Sequence, residues 1–515
     1  MKDVADELIE VASRGMAASL WARLKPTEIA IHDPHGTRTF AELNSAANRV
    51  ARLLCAHGLK AGDAVALMCS NRAEFAEVLS GCLRAGFRMT PVNWHLNAEE
   101  VAYIIDDCEA KALLVETRYP AGLGAPAKRV RLKVAIAGQA DGFASYGRAL
   151  AEFSGEDIAD PVLGGAMLYT SGTTGRPKGV YRRNNVLAIT PVPGAPDEVC
   201  LCVGPAYHAA PLAFDVRLAL SQGNPLVFVD KWDAENVLAT IERYRVTRTH
   251  MVPIMFQRLL ALPQEVKDRY DLSSLRQIMH GAAPCPPEVK KAMIDWLGPI
   301  LHEYYAGSEG GVGFLVSSEE WLAKPGTVGR LPAADAIKIY DDDGVQITEP
   351  NRAGNIYFKV SPIAPFEYFN DPEKTSRAHR GGYFTLGDVG YLDEDGYLFL
   401  TGRTAECIIS GGVNIYPQEI DNEIIKHPAV EDSCAIGVPN PEWGEEVKAV
   451  VMLKAGFTPS PELASEIQAF ARGRLAGFKA PRSVEFAQDL PRNPAGKIQR
   501  GKVRAPYWAG RQRQI

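Results

Sequence analysis

Between Asp63 and Tyr305 the chain keeps switching between two periodicities, and this alternation restricts its fold more than any other feature. Short β-branched runs at Ala64–Met68, Ala112–Val115, Val134–Ala137, Leu201–Val203, Leu226–Val229 and Leu275–Met279 predict strands. Between them, Glu74–Arg84, Ala234–Tyr244, Pro253–Leu262 and Pro287–Leu297 place apolar residues at i, i+3, i+4 and i+7 and predict helices. Asp233 is positioned to cap the second of these helices, and Pro286 and Pro287 suit the first turn of the last. Such alternation implies a layered α/β body with parallel strands.

After Ala353 the pattern changes. Gly354–Val360, Tyr383–Tyr391 and Tyr397–Thr401 read as short, turn-punctuated strands of a smaller β-rich unit. Past Gly402 comes a compact α+β stretch: helix Gln418–His427, strand Val447–Leu453, helix Pro461–Leu475 and a strand near Val484–Phe486. At 515 residues the chain exceeds what one hydrophobic core serves. The expected fold is α/β: a large N-terminal domain of layered α/β sheets plus a β-rich subdomain (1–404), and a small mobile C-terminal α+β domain (405–515).

Composition narrows the partners. Lys plus Arg is 56 and Asp plus Glu is 62, a net charge of −6, without the basic excess of nucleic-acid or anionic-membrane binders. An anionic ligand must therefore be met by local positive groups. No apolar run reaches bilayer-spanning length, and Met1–Leu24, with Asp3, Asp6, Glu7 and Glu10, reads as an amphipathic surface helix rather than a secretory signal. The nine cysteines are scattered and form no CxxC pair, so free buried thiols are expected, and with them a cytoplasmic protein.

Four segments carry chemistry. In Tyr169-Thr-Ser-Gly-Thr-Thr-Gly-Arg-Pro-Lys-Gly179 a buried run, Ala166–Tyr169, feeds a loop of four hydroxyls, three glycines and Lys178, with a helix expected beyond Asn184. Backbone N–H groups, hydroxyls and an ammonium together cradle phosphate, although the spacing is not that of a Walker A loop. In His302-Glu-Tyr-Tyr-Ala-Gly-Ser-Glu-Gly-Gly311 a strand, Pro299–Tyr305, ends in a glycine-flanked turn bearing Glu309. A carboxylate beside phosphates suits Mg²⁺, and Tyr305 can stack on a purine; a solvated turn acid and core tyrosines are the plainer reading. Gly382-Tyr-Phe-Thr-Leu-Gly-Asp388, with Gly402-Arg403 after it, offers a carboxylate for a ribose diol and a guanidinium beside it. Leu490-Pro-Arg-Asn-Pro-Ala-Gly-Lys-Ile-Gln-Arg500 holds Lys497, which taken alone reads as a solvated loop lysine.

In this order the four segments resemble the AMP-forming, adenylate-forming superfamily of acyl-CoA and aryl-CoA synthetases, firefly luciferase and peptide-synthetase adenylation domains. The resemblance runs from about Leu43 to Arg500. Pro205-Ala-Tyr-His208 looks like its aromatic-His segment, Gly281-Ala-Ala-Pro284 like its adenine-side loop, and Ser410-Gly-Gly-Val-Asn-Ile-Tyr-Pro-Gln-Glu-Ile420 like its thiol-guiding loop. The resemblance implies ATP, Mg²⁺ and coenzyme A, with a small-molecule carboxylic acid as partner. It implies that Thr170, Ser171, Gly172, Thr173, Thr174, Gly175 and Lys178 hold phosphates, and that Thr170 and Glu309 hold the metal. Gly281, Ala282, Ala283, Pro284 and Tyr305 then sandwich adenine, Glu303, Tyr304, Ala306, Gly307 and Ser308 complete the cofactor-binding set, Asp388 and Arg403 bind ribose, and Ser410, Gly411 and Gly412 meet CoA. His208 and Lys497 join Thr170 and Glu309 as catalytic residues, Lys497 bridging the substrate carboxylate and the α-phosphate.

In this family the small domain pivots after the Gly-Arg pair, and gating by a hinge is implied here too. The pivot position, usually Asp or Lys, is Ala405, so a polar latch from that side chain is absent. Oligomeric state is open, a homodimer being one expectation. Tyr207, Ala209, Ala210, Phe214, Met255, Gly310 and Gly311 are expected to line the acid pocket. Its small and apolar residues favour a medium- or long-chain fatty acid or a bulky alicyclic, steroid-like acid, with benzoate- or cinnamate-sized acids as the alternative. Phe214-Asp-Val-Arg217 also resembles an amino-acid-binding segment through Asp215, and Ala306-Gly-Ser-Glu-Gly310 comes near the GxSxG elbow of a serine hydrolase at Ser308. A non-catalytic nucleotide-binding protein would keep the phosphate loop without needing Lys497.

Overall fold

The computed structural model describes residues 3–124, 129–170, 177–183, 191–282, 285, 287–331, 333, 335–341, 344–362, 365–403, 408–415, 417–491, 498 and 500–509. Two parallel-rich sheets form the large N-terminal domain. In one, strands Leu301–Gly307, Gln277–His280, Arg248–Met251, Cys200–Cys202, Leu226–Phe228 and Ile29–Asp33 run parallel, and antiparallel strands Gly310–Ser317 and Gly36–Thr39 close its two edges. The other is parallel throughout, ordered Ala144–Ser145, Leu132–Ile136, Ala110–Glu116, Ala64–Met68, Arg88–Pro91 and Gly165–Ala166. Strand Ala64–Met68 and helices Ala234–Tyr244 and Pro287–Leu297 fall where the periodicity places them. Asp233 caps its helix by accepting from the Asn236 amide at 2.9 Å.

Asn71 ties the two sheets. Its buried side chain donates to the carbonyls of Gly204 (2.8 Å) and Val229 (3.0 Å) and accepts from the Ala206 amide (2.8 Å). The segment leading into His208 is thereby fixed from below. A β-rich subdomain follows, an antiparallel sheet with Gly354–Lys359 at its centre; the expected strand Tyr383–Tyr391 divides into Tyr383–Phe384 and Asp388–Leu392. That sheet ends at Arg403, and the five-stranded sheet of the small C-terminal domain begins at Ile408. The small domain encloses its own core around Ile408, Ile420, Val447 and Ile467.

The N-terminal segment corrects an expectation. It forms two helices, Val4–Ala12 and Ala17–Leu24, not one. Between them Gly15 has φ 75°, and a Cβ there would lie 2.2 Å from the Leu83 carbonyl oxygen, so the chain bends where only glycine fits. Leu8, Leu20 and Trp21 are buried in the main core, so one face is packing surface. The eight described cysteines are free, most of them buried, as expected. Among the described residues no helix is long and apolar enough to cross a membrane.

Candidate functional site

The phosphate-type loop is held on a hairpin. Strand Leu168–Thr170 pairs antiparallel with Lys178–Tyr181, and Thr170 faces Lys178 across the pair. Ser171, Gly172, Thr173, Thr174 and Gly175, at its tip, lie outside the described residues, as does the expected helix start after Asn184. Helix Ala98–Asp107 pins both arms: Tyr169 Oη donates to Asp107 Oδ2 (2.5 Å) and Tyr103 Oη to the Pro177 carbonyl (3.2 Å). Burial, with Lys374 nearby, draws the Lys178 pKa below its ordinary value, against the pull of Glu309 and Asp371. Such an ammonium gains by meeting an anion.

Glu309 sits at the tip of a second hairpin, in the two-residue turn between strands Leu301–Gly307 and Gly310–Ser317. Tyr368 Oη donates to Glu309 Oε1 at 3.0 Å, and the Lys178 ammonium lies 4.9 Å from the centre of the same tyrosine ring. Arg182 donates to the carbonyls of Ser308 and Glu309, both at 3.1 Å. The two hairpins are thus joined through Tyr368 and Arg182. Neither residue stood out in the sequence. Arg182 follows Lys178 by four residues, a spacing that returns a strand to the same face and was the available signal; nothing marked Tyr368.

No group of three or more His, Cys, Asp or Glu side chains suited to a metal occurs among the described residues. A single carboxylate such as Glu309 fits Mg²⁺ that takes its other oxygens from phosphates and water, and does not fit an all-protein cage.

Tyr305 and Asp388 meet across two sheets, Tyr305 Oη donating to the buried Asp388 carboxylate at 2.6 Å. Asp388 is in register with Arg403 on the neighbouring strand. Gly281 abuts Tyr304, and Ala282 takes φ 66°; Ala283 and Pro284 lie outside the described residues. Ala306 and Gly307 end the strand before Ser308. Glu303 departs from its expected place beside a nucleotide. Its carboxylate is buried in an ion pair with Lys290 at 2.6 Å, beside helix Pro287–Leu297, because alternate strand residues turn to opposite faces.

On the other face Tyr304 Oη lies 3.0 Å from His250 Nε2, and its ring packs 4.8 Å from Phe214. Phe214 belongs to a π-helical segment, Pro211–Arg217, a form of helix frequent at functional sites. His208, Ala209 and Ala210 precede it and keep accessible surface, and Tyr207 is buried against Trp94 and the His208 ring. His208 is enclosed by surrounding protein yet accessible, as in the wall of an internal cleft; that enclosure and nearby His95 lower its pKa to about 4. Gly310 and Gly311 open the strand after Glu309. Met255 lies in helix Pro253–Leu260, partly buried against the core and keeping accessible surface.

Geometry bears on two alternatives. Asp215 is buried beside Cys200, 1% exposed, so its carboxylate is turned away from any accessible pocket, and burial pushes its pKa up. Ser308 stands in a β-hairpin turn, whereas a nucleophile elbow requires a strand-to-helix turn.

In the small domain Ile408–Ser410 and Val413–Ile415 form a hairpin whose turn residues, Gly411 and Gly412, have φ 55° and 80°. Two consecutive positive φ values make a type I′ turn, for which Gly-Gly is suited. A Cβ on Gly412 would lie 3.6 Å from Val252, so the tip rests on the large domain at the entry to helix Pro253–Leu260. Lys497 lies outside the described residues. Its segment is bounded by buried Leu490 and by Arg500, whose guanidinium pairs with Asp421 at 2.8 Å.

The chain is similar to known proteins over nearly its whole length. Residues 19–365 match the AMP-binding enzyme family and residues 419–497 the AMP-binding enzyme C-terminal domain. The chain is 34% identical to a feruloyl-CoA synthase of Amycolatopsis sp, over 94% of this chain and 97% of the relative. An indoleacetate–CoA ligase of Aromatoleum aromaticum is 32% identical, over 94% and 96%. A long-chain-fatty-acid–CoA ligase of Mycobacterium tuberculosis is 32% identical, over 92% and 93%. The o-succinylbenzoate CoA synthetase of Bacillus subtilis, 26% identical, superposes with a TM-score of 0.80 as a double mutant bound with the product analogue OSB-NCoA, covering 95% of this chain and 98% of that one. In complex with the acyl-adenylate intermediate OSB-AMP the same enzyme gives 0.63, covering 95% and 97%.

Proposed function

The chain belongs to the AMP-binding enzyme family and is an AMP-forming acyl-CoA ligase, and within that class we propose that its acid is an aryl or arylalkanoic one. The carrying observation is the wall made by Phe214 and Tyr304, rings 4.8 Å apart and backed by His250. An aromatic wall of this kind favours a flat ring packed against it. The aryl acids of the feruloyl and indoleacetate relatives support the reading. Small residues at Ala209, Ala210 and Gly310 support the alkyl or alicyclic acid as the second reading, as does the long-chain relative.

The first half-reaction must bring a carboxylate against an α-phosphate, and both are anions. Lys178 and the hydroxyl and amide groups from Thr170 to Gly175 receive the β- and γ-phosphates; Tyr305 and the Gly281 loop hold adenine; Asp388 and Arg403 take the ribose. Glu309, oriented by Tyr368, and Thr170 would hold Mg²⁺, which supplies charge neutralisation at the phosphates. Lys497 bridges the two reacting anions, lowering their repulsion and aligning attack. Carboxylate oxygen bonds to the α-phosphorus and pyrophosphate leaves.

In the second half-reaction the CoA thiolate attacks the acyl carbon and AMP leaves. The Ser410–Gly412 turn guides the thiol, and His208, neutral at physiological pH, lines its approach. We place the hinge between residues 404 and 405, at the change of sheet between Arg403 and Ile408.

A carboxylic-acid panel assayed for AMP release with and without CoA tests the reading. Cinnamate-, benzoate- or indoleacetate-type acids are expected to give the highest kcat/KM. Activity confined to fatty or alicyclic acids would transfer the assignment to the second reading.

A further inference from the structure

Contacts between the small domain and the large one include three polar ones among the described residues. Asn97 Nδ2 donates to the Arg474 carbonyl at 2.5 Å, and Arg258 pairs with Glu442 at 3.0 Å. The third is buried: the Lys479 ammonium lies 2.8 Å from Glu100 and 2.7 Å from Glu419, with side-chain exposures of 3%, 13% and 12%. Glu100 belongs to helix Ala98–Asp107 of the large domain, and Glu419 to helix Pro417–Ile424 of the small one. A lysine this dry needs its carboxylates, because removing one partner of a buried pair leaves an uncompensated charge. If the small domain swings away, Lys479 keeps Glu419 and loses Glu100.

The docked position has a chemical consequence. It sets the Gly411–Gly412 turn against Val252, beside the acid wall. It also matches the o-succinylbenzoate enzyme bound with a CoA product analogue (0.80) better than the same enzyme holding its acyl-adenylate (0.63). Helix Ala98–Asp107 carries Glu100 in its first turn and, at its other end, the Asp107 that anchors the phosphate hairpin, so latch and cleft share one rigid element.

We propose that Lys479 is a positioning residue for thioester formation, its bridge from Glu419 to Glu100 holding the thiol-guiding turn over the acyl-adenylate. The proposal rests on the CoA-ligase reading. It also assigns the polar latch that Ala405 cannot supply to the domain interface.

Glu100→Gln is the informative variant. Glu100 Oε2 accepts from the Asn97 amide at 3.0 Å in the helix capping box, and Gln serves equally at that position, so the helix survives while the charge is removed. Lys479→Met and Lys479→Arg complete the set. Acid-dependent ATP–pyrophosphate exchange is expected to stay within about twofold of wild type. Single-turnover transfer from enzyme-bound acyl-adenylate to CoA is expected to slow about tenfold or more in Glu100→Gln and Lys479→Met, with the KM for CoA little changed and partial recovery in Lys479→Arg. Unchanged transfer, equal loss in both half-reactions, or a loss confined to the CoA KM would each overturn the latch. Wild-type enzyme that exchanges pyrophosphate but never passes its acyl group to CoA would instead sink the parent reading.

Discussion

The nucleotide cleft and the domain interface differ in how they are held. Glu309, Tyr305 and Asp388 stand on a hairpin turn and its neighbouring strands, cross-tied by Tyr368, Arg182 and the Tyr305–Asp388 hydrogen bond, and the phosphate hairpin is pinned at both arms. The interface presents the hairpin Ile408–Ile415 and its Gly-Gly turn, with a few polar contacts around Lys479. Chemistry that only needs charges aligned can sit on fixed strands. A surface that must dock and leave needs contacts strong together and breakable singly.

If this contrast is correct, damage on the two sides should separate. Glu309→Gln should lower acid-dependent pyrophosphate exchange by roughly 10²–10³-fold, while transfer from supplied acyl-adenylate stays within a few-fold. Comparable losses in both steps would break the contrast. Phe256→Ala should destabilise the fold by about 3 kcal/mol in denaturant titration with the acid profile unchanged, because Phe256 is fully buried in the core. Phe214→Ala should do the reverse, shifting the profile toward bulkier acids.

His250 adds a pH dependence on the cleft side. Burial and neighbouring His208 hold its pKa at about 3, so it stays neutral in the folded state through the range where the unfolded imidazole gains a proton near 6.5. This contribution is present above pH 6.5 and is lost as pH falls toward the folded value. Lowering the pH from 7 to 5 should remove about 2 kcal/mol of stability through His250, and His250→Gln should flatten that slope in urea titrations. The smallest effect expected is for Tyr305→Phe, which removes the bond to Asp388 and should raise the KM for ATP about tenfold, leaving the KM for CoA unchanged.

Sequence patterns located the layered body well where apolar periodicity was strong, as at Ala64–Met68 and Ala234–Tyr244. They passed over Arg88–Pro91, whose arginine and proline hide a strand buried between neighbours. Thr170, Lys178, Glu309 and Asp388, the residues proposed to form the site, could be picked out in the sequence because local motifs carry them. Their partners could not: Tyr368 lies 59 positions from Glu309, and Lys479 lies 379 from Glu100. The Glu303 carboxylate was misplaced for another reason. Which face an element turns to its neighbour is decided by packing, and composition shows only that the residue could line a pocket or hold a charge.

The most direct test of two chemistries sharing one chain is to follow both half-reactions in Lys497→Ala. Acyl-adenylate formation from ATP and acid should be abolished, while single-turnover transfer from supplied acyl-adenylate to CoA should proceed at close to the wild-type rate. Equal loss of both steps, or adenylate formation that survives without the lysine, would contradict the account.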